Sequence, residues 1–168
     1  MTIILLDRDG VINQNGPGYT SQFANWVWCD GAVQAMYDLE LAGHLLFIVS
    51  NQSGVARGYF TEQRVCELMR DVSDDCMRQT GRPLPPFYAC YHGPWDECGC
   101  RKPLSGLWHK IQQDHSVAIS EHMGTTGVVV GDSSVDGEFA DNIGFEFCHI
   151  TAYGVPSLAK FTESFLRS

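Results

Sequence analysis

Long apolar runs are missing from the chain. The N-terminal stretch Ile3-Ile4-Leu5-Leu6 stops at Asp7, too short for a signal peptide or a membrane span, which predicts a cytoplasmic protein with no membrane partner. Basic residues are scarce as well, with 11 Lys and Arg against 20 Asp and Glu and a net charge of −9. The mean field therefore repels DNA, RNA and anionic lipid, and no basic stripe offsets it, so no nucleic-acid partner is expected. A phosphate site, if present, has to be a local positive island. Repeats, low-complexity segments and long linkers are absent too, and residues 1–168 read as one domain. With 44% hydrophobic and 18% charged residues, a chain of this length buries roughly 70% of its unfolded surface. That excludes a disulfide-stapled miniprotein and a disordered tail. The expected assembly is a monomer.

What is present begins with seven cysteines, an odd count with uneven spacing. Cys90, Cys98 and Cys100 cluster, which in a reducing compartment points to metal rather than disulfide. Cys29, Cys66, Cys76 and Cys148 are scattered and are expected to be small apolar fillers.

Short β-rich runs alternate with helical patterns, the signature of an α/β fold: a Rossmann-like parallel sheet with helices on both faces. The runs Ile3 to Leu6, Leu45 to Val49 and Val128 to Val130 are continuously apolar, as strands buried on both faces should be. Ala32, Ala35, Met36 and Leu39 mark one helix face, closed by Gly43. Val65, Leu68, Met69, Val72 and Cys76 mark a second, from a Thr61 cap to Gly81. Leu104, Leu107, Trp108 and Ile111 predict a third, and Ser134 to Ile143 a fourth. Phe87 to Tyr91 and Phe145 to Ile150 read as further strands.

Each buried strand ends in residues able to do chemistry: Asp7-Arg8-Asp9-Gly10 after the first, Ser50-Asn51-Gln52-Ser53-Gly54 after the second, Gly131-Asp132 after a later one. Ligands of open parallel sheets bind at the carboxyl ends of strands, so these clusters should meet in one crevice. Asp7 and Asp9 project to the same side of an extended chain, and their repulsion asks for a cation. A hard ion such as Mg²⁺ answers this, with Asp132 as a further ligand.

A second metal is suggested by Cys90-Tyr91-His92 and Cys98-Gly99-Cys100. Residues i and i+2 point the same way in extended chain, so each pair can chelate. Three thiolates and an imidazole suit a closed tetrahedral Zn²⁺ in a zinc-binding loop.

Together these residues resemble the haloacid dehalogenase superfamily of phosphotransferases. Asp7-Arg8-Asp9-Gly10-Val11 looks like its first motif, Ser50 its second, Lys102 its third, and Gly131-Asp132 with Asp136 its fourth. An Asp-x-Asp pair alone is common; all four in order at strand ends are specific. Within the superfamily, the Cys-x-His and Cys-x-Cys-Arg-Lys-Pro arrangement, with Asn51-Gln52-Ser53-Gly54-Val55-Ala56-Arg57-Gly58-Tyr59-Phe60, is similar to the D-glycero-D-manno-heptose 1,7-bisphosphate 7-phosphatase family.

That resemblance implies a small-molecule sugar bisphosphate as substrate, removal of its C7 phosphate, and a place in heptose and lipopolysaccharide precursor synthesis. Asp7 would be the nucleophile forming an aspartyl phosphate and Asp9 the acid and base. Ser50 and Lys102 would hold the phosphoryl oxygens. Mg²⁺ would sit on Asp7, Asp132 and the backbone carbonyl of Asp9. Asp136 would orient Lys102 or a metal-bound water, or serve only in the first turn of its helix. Arg101 would take the C1 phosphate, with Gly18, Tyr19, Asn51, Gln52 and Ser53 on the sugar side and no large cap domain above them. Two positions depart from the family: Tyr91 stands in place of a proline, and Gly137 in place of a larger residue, expected to loosen the start of the helix. Histidinol phosphate phosphatase, which shares the zinc loop, is the alternative. A zinc-dependent interaction module with a decayed site is the reading from another class, and the presence of every motif residue speaks against it.

Overall fold

The computed structural model describes residues 1–16, 18–120, 127–151 and 157–167. Five strands, β1 (Ile3–Leu6), β2 (Leu45–Asn51), β3 (Phe87–Cys90), β4 (Gly127–Gly131) and β5 (Glu146–His149), form one sheet in the order β3-β2-β1-β4-β5. Every pairing is parallel. Around it stand α1 (Ala32–Leu41), α2 (Glu62–Thr80), α3 (Gly106–Asp114), α4 (Ser116–Ser120), α5 (Ser134–Ile143) and α6 (Leu158–Phe165).

Strand alternation divides the core in two. Ile4, Leu6, Leu46, Ile48, Val128 and Val130 face α1, α2 and α6, while Ile3, Leu5, Phe47, Val49 and Val129 face α3 and α5. Every side chain of β1 is buried, each worth about 1.5–3 kcal/mol of transfer free energy. This is why the run carries no alternation of its own. The Thr61 hydroxyl accepts from Arg64 N at 3.2 Å, and Gly81 closes α2 with φ 76°. Both ends fall where the sequence places them.

Three local expectations are corrected. Leu104 is 49% exposed and lies outside α3, in a turn closed by Leu104 N donating to Arg101 O at 2.8 Å. The helix starts instead at Gly106, whose N–H donates to Gly99 O at 3.0 Å, a contact so close that a Cβ there would meet the same oxygen. Cys66 is exposed rather than a core filler, being one position off the α2 face that Val65 and Leu68 define. Gly137 does not loosen α5. Its missing side chain makes room for the Phe147 ring, and the backbone N–H and hydroxyl of Ser133 both donate to Asp136 Oδ2 at 3.2 and 2.6 Å.

The chain runs from β1 outward to β2 and β3, then crosses back to β4 and β5 on the other side of β1. This reversal beside β1 opens a crevice at its carboxyl end. Among the described residues, the connections over 7–31 and 52–61 carry only a 3₁₀ turn (Phe23–Asn25) and isolated bridges, and no large cap covers the crevice.

Candidate active site

Asp7 leaves β1 with its N–H on Val130 O at 2.9 Å, so the first acidic residue is held beside the end of β4. The chain then turns under itself, with Ile12 N and Asn13 N both donating to Arg8 O. Gly10 is obligatory in that turn: its φ is 83°, and a Cβ there would collide with the Asp132 carboxylate. Ser50, 1% exposed, ends β2 on the other flank. These ends line a cavity of about 230 Å³ with Asp7, Asp9, Ser50, Lys102, Asp132 and Asp136 in its wall. The clusters that the strand ends announce do meet in one place.

Lys102 is the hub. The residue is 4% exposed, and its Nζ donates to Asp7 Oδ1 at 2.8 Å, Val49 O at 3.0 Å and Asp136 Oδ1 at 2.5 Å. Burial opposes its charge, but Asp7 and Asp136 outweigh burial and hold its pKa above the usual value. Its backbone is gripped separately, with Lys102 N donating to Asn51 Oδ1 and Asn51 Nδ2 donating to Lys102 O, both at 3.0 Å.

Carboxylate oxygens of Asp7, Asp132 and Asp136 lie within 4.8 Å of one another. One lysine cannot balance three such groups. Burial pushes Asp7 up to about 7, with Asp136 and Asp9 adding to the push and Lys102 opposing it, and burial raises Asp132 as well. An all-oxygen cluster in which Asp7 and Asp132 both resist ionisation fits a hard divalent cation, which would reverse both shifts. The Asp9 carboxylate lies outside this cluster. Arg8 Nε and Nη2, Asn13 Nδ2 and Gln52 Nε2 all donate to it at 2.8–3.0 Å. Burial works against its charge, yet Arg8 and these donors prevail and lower its pKa.

The second cluster gathers Cys90, His92, Cys98 and Cys100, all ligand atoms within 4.8 Å. Cys90 Sγ is 3.8 Å from Cys98 Sγ and 3.4 Å from Cys100 Sγ, and His92 Nδ1 is 3.5 and 3.3 Å from Cys90 and Cys100. A tetrahedron with Zn–S about 2.3 Å and Zn–N about 2.0 Å has edges of about 3.8 and 3.5 Å, so the four atoms fit such an ion. Burial pushes the Cys90 thiol up to about 12, a value a bound cation would bring down. Arg101 ties back to this loop, its Nη1 donating to His92 O at 3.3 Å, and Lys102 in the crevice wall follows it directly in the chain.

The family model of polynucleotide kinase 3 phosphatase matches residues 2–153. A Thermoplasma volcanium protein named "Probable D-glycero-D-manno-heptose-1,7-bisphosphate 7-phosphatase" is 36% identical over 88% of this chain and 97% of its own. The D-glycero-beta-D-manno-heptose-1,7-bisphosphate 7-phosphatase of Bordetella bronchiseptica is 34% identical over 86% and 77%. The chain belongs to the heptose bisphosphate phosphatase family. A crystal structure of D,D-heptose 1,7-bisphosphate phosphatase from B. bronchiseptica with magnesium and phosphate superposes with a TM-score of 0.78 at 27% identity, covering 99% of each chain. The protein is thus a phosphatase of the haloacid dehalogenase superfamily, a hydrolase of phosphoric monoesters.

Of the remaining expected residues of this phosphatase, Gly18, Tyr19, Asn51 and Gln52 border the crevice, while Arg101 and Ser53 line neither it nor the cavity beside it. Arg8, Asp9, Gly18, Tyr19, Asn51 and Gln52 line an adjoining cavity of about 310 Å³. Tyr19 is 43% exposed at its rim and packs edge-on against Phe60, with ring centroids 5.7 Å apart. Ser53 is buried, and Arg101 is half-buried beside the Cys/His loop. Three contacts escape sequence reasoning. Arg8, 1% exposed, clamps Asp9; Asn13 does the same from four residues on; and Asn15 Nδ2 donates to Asp132 Oδ2 at 3.0 Å across 117 positions. A buried arginine between two acids was a signal available in the Asp-Arg-Asp triplet. For Asn13 and Asn15 there was none, since the loop path alone brings them in.

Proposed function

We propose that this phosphatase removes the C7 phosphate of D-glycero-D-manno-heptose 1,7-bisphosphate, with Mg²⁺ in the acidic cluster and Zn²⁺ in the Cys/His loop. The observation that carries the reading is the adjacency of Lys102 and Arg101. Lys102 Nζ reaches Asp7 in the crevice, while the guanidinium of its neighbour stays at the root of the loop, on the His92 carbonyl. A second cation one residue from Lys102 would suit a substrate with two phosphates. The names of the relatives point the same way.

Mg²⁺ on Asp7 and Asp132 would withdraw charge from the phosphoryl oxygens, and every other step belongs to side chains. Asp7 attacks phosphorus; its Oδ–P bond forms as the bond from phosphorus to the C7 oxygen breaks. Asp9 passes to the departing oxygen a proton brought in on the phosphate monoanion, one of its four donors giving way while it carries that proton. Asp9 then takes a proton from water as the water oxygen bonds to phosphorus and the Asp7–phosphorus bond breaks. Lys102 and Ser50 hold the equatorial oxygens through both displacements. Asp136, with one oxygen on Lys102 and the other on Ser133, keeps the ammonium aimed. Zn²⁺ would close the loop that carries Arg101, and its thiolates belong with a reducing, cytoplasmic setting.

Phosphate release from a panel with Mg²⁺ tests this: the heptose bisphosphate, histidinol phosphate, simple sugar monophosphates and a 3′-phosphorylated oligonucleotide. The heptose bisphosphate should exceed every other member in kcat/KM by at least tenfold. A histidinol phosphate rate equal to or above it would replace the substrate.

A further inference from the structure

The Gln52 side chain is 1% exposed, and its backbone N–H is committed to Cys90 O at 2.7 Å, at the root of the Cys/His loop. Its amide nitrogen makes two bonds at once, donating to Asp9 Oδ2 at 3.0 Å and to Ser50 Oγ at 2.8 Å. The orientation of the amide follows from its neighbours, because an ionised carboxylate accepts only and the atom facing Asp9 must be the NH₂ group. Its Oε1, meanwhile, is buried and accepts no hydrogen bond among the described residues. Both donors of the amide are thus spent on two residues of the crevice wall.

We infer that Gln52 is a positioning residue: it ties the acid/base carboxylate of Asp9 to the phosphate-binding hydroxyl of Ser50 and does not contact the sugar. This rests on the roles proposed above for Asp9 and Ser50. The consequence for Ser50 is directional. Since its oxygen already accepts from Gln52, its own proton is left to donate toward the cavity, where a phosphoryl oxygen would sit. For Asp9, the Gln52 bond completes a set in which each oxygen holds two donors: Arg8 Nη2 and Asn13 on Oδ1, Arg8 Nε and Gln52 on Oδ2. The carboxylate plane is thereby locked. A carboxylate free to rotate would meet the leaving oxygen and the incoming water in the wrong orientation for much of the time.

Gln52→Met keeps the length and much of the volume of the side chain and has no donor. Steady-state kinetics with Mg²⁺ on the heptose bisphosphate and on p-nitrophenyl phosphate should show kcat down ten- to a hundredfold on both, with KM changed less than threefold on either. A sugar contact would instead raise KM on the bisphosphate and spare the simple ester, and that result overturns the inference. So does an unchanged kcat. Combining Gln52→Met with Asp9→Asn separates positioning from general damage: the combined loss should fall well short of the product of the single losses, and full multiplication overturns the proposal. Should Gln52→Met fail to fold, Gln52→Leu, uncharged and lacking the donors, is read by the same criteria. Wild-type protein that hydrolyses p-nitrophenyl phosphate but no sugar bisphosphate would end the substrate proposal alone, and the role of Gln52 is then still decided on the ester.

Discussion

The Asn51 side chain closes both of its hydrogen bonds on the backbone of Lys102, accepting from the N–H and donating to the carbonyl at 3.0 Å each. The end of β2 thus holds the lysine by its main chain while Asp7 and Asp136 hold it by its ammonium. Two hydrogen bonds at about 1 kcal/mol each correspond to a factor of about thirty. Asn51→Ala should lower kcat by about that factor on any phosphate ester. A variant with wild-type kcat would show that the clamp does not set the position of Lys102.

Asp7→Asn should abolish turnover by several orders of magnitude, because an amide of nearly the same shape is a poor nucleophile. Circular dichroism should remain that of the folded protein. Easily measured phosphate release from the pure variant would remove Asp7 from its role.

Stability without Mg²⁺ should depend on pH through Asp7. Its folded pKa is raised from 3.8 to about 7, so the stability it contributes is fully present below 3.8 and is lost as pH rises through 7. Asp132 is shifted in the same direction. Melting curves of metal-free protein should therefore show Asp7→Asn gaining on wild type between pH 5 and 8. Mg²⁺, which binds the ionised forms, should raise the wild-type Tm more at pH 8 than at pH 5. An equal Mg²⁺ shift at both values would separate Asp7 and Asp132 from the metal.

Metal analysis of protein purified without added zinc should find about one Zn²⁺ per chain, since four ligands fill one tetrahedral site. Stripping it should lower the Tm and raise KM for the bisphosphate before it affects kcat on a simple ester. The ligands adjoin Arg101 through His92 O but do not line the cavity around Asp7. Absence of zinc from a stable, active protein would refute the site.

Arg101→Ala should reduce kcat/KM on the heptose bisphosphate ten- to a hundredfold. A bidentate guanidinium–phosphate contact contributes about 1.5–3 kcal/mol. A simple ester has no second phosphate to lose and should suffer much less. An equal loss on both substrates would assign Arg101 to the transferred phosphoryl group or to the loop.

The sequence by itself determined the sheet, the ends of α2 and the chemistry of both clusters. Ile3 to Leu6 and Val128 to Val130 are apolar without interruption because helices cover both sides of the sheet, and that property is written into every residue of a strand. Thr61 and Gly81 close α2 by local hydrogen bonding and backbone geometry, which neighbours in sequence dictate. Only the tertiary structure decided what the polar residues touch. Asn51 finds Lys102 51 positions away, Asn15 finds Asp132 across 117, and Gln52 joins Asp9 with Ser50. Leu104 left its helix because the Arg101–Leu104 turn and the Gly99–Gly106 contact tie that stretch to the Cys/His loop. None of these follows from periodicity: the partners are chosen by the order in which strands lie beside one another and by the paths of the loops beyond their ends, and a side chain at a strand end carries no local record of either.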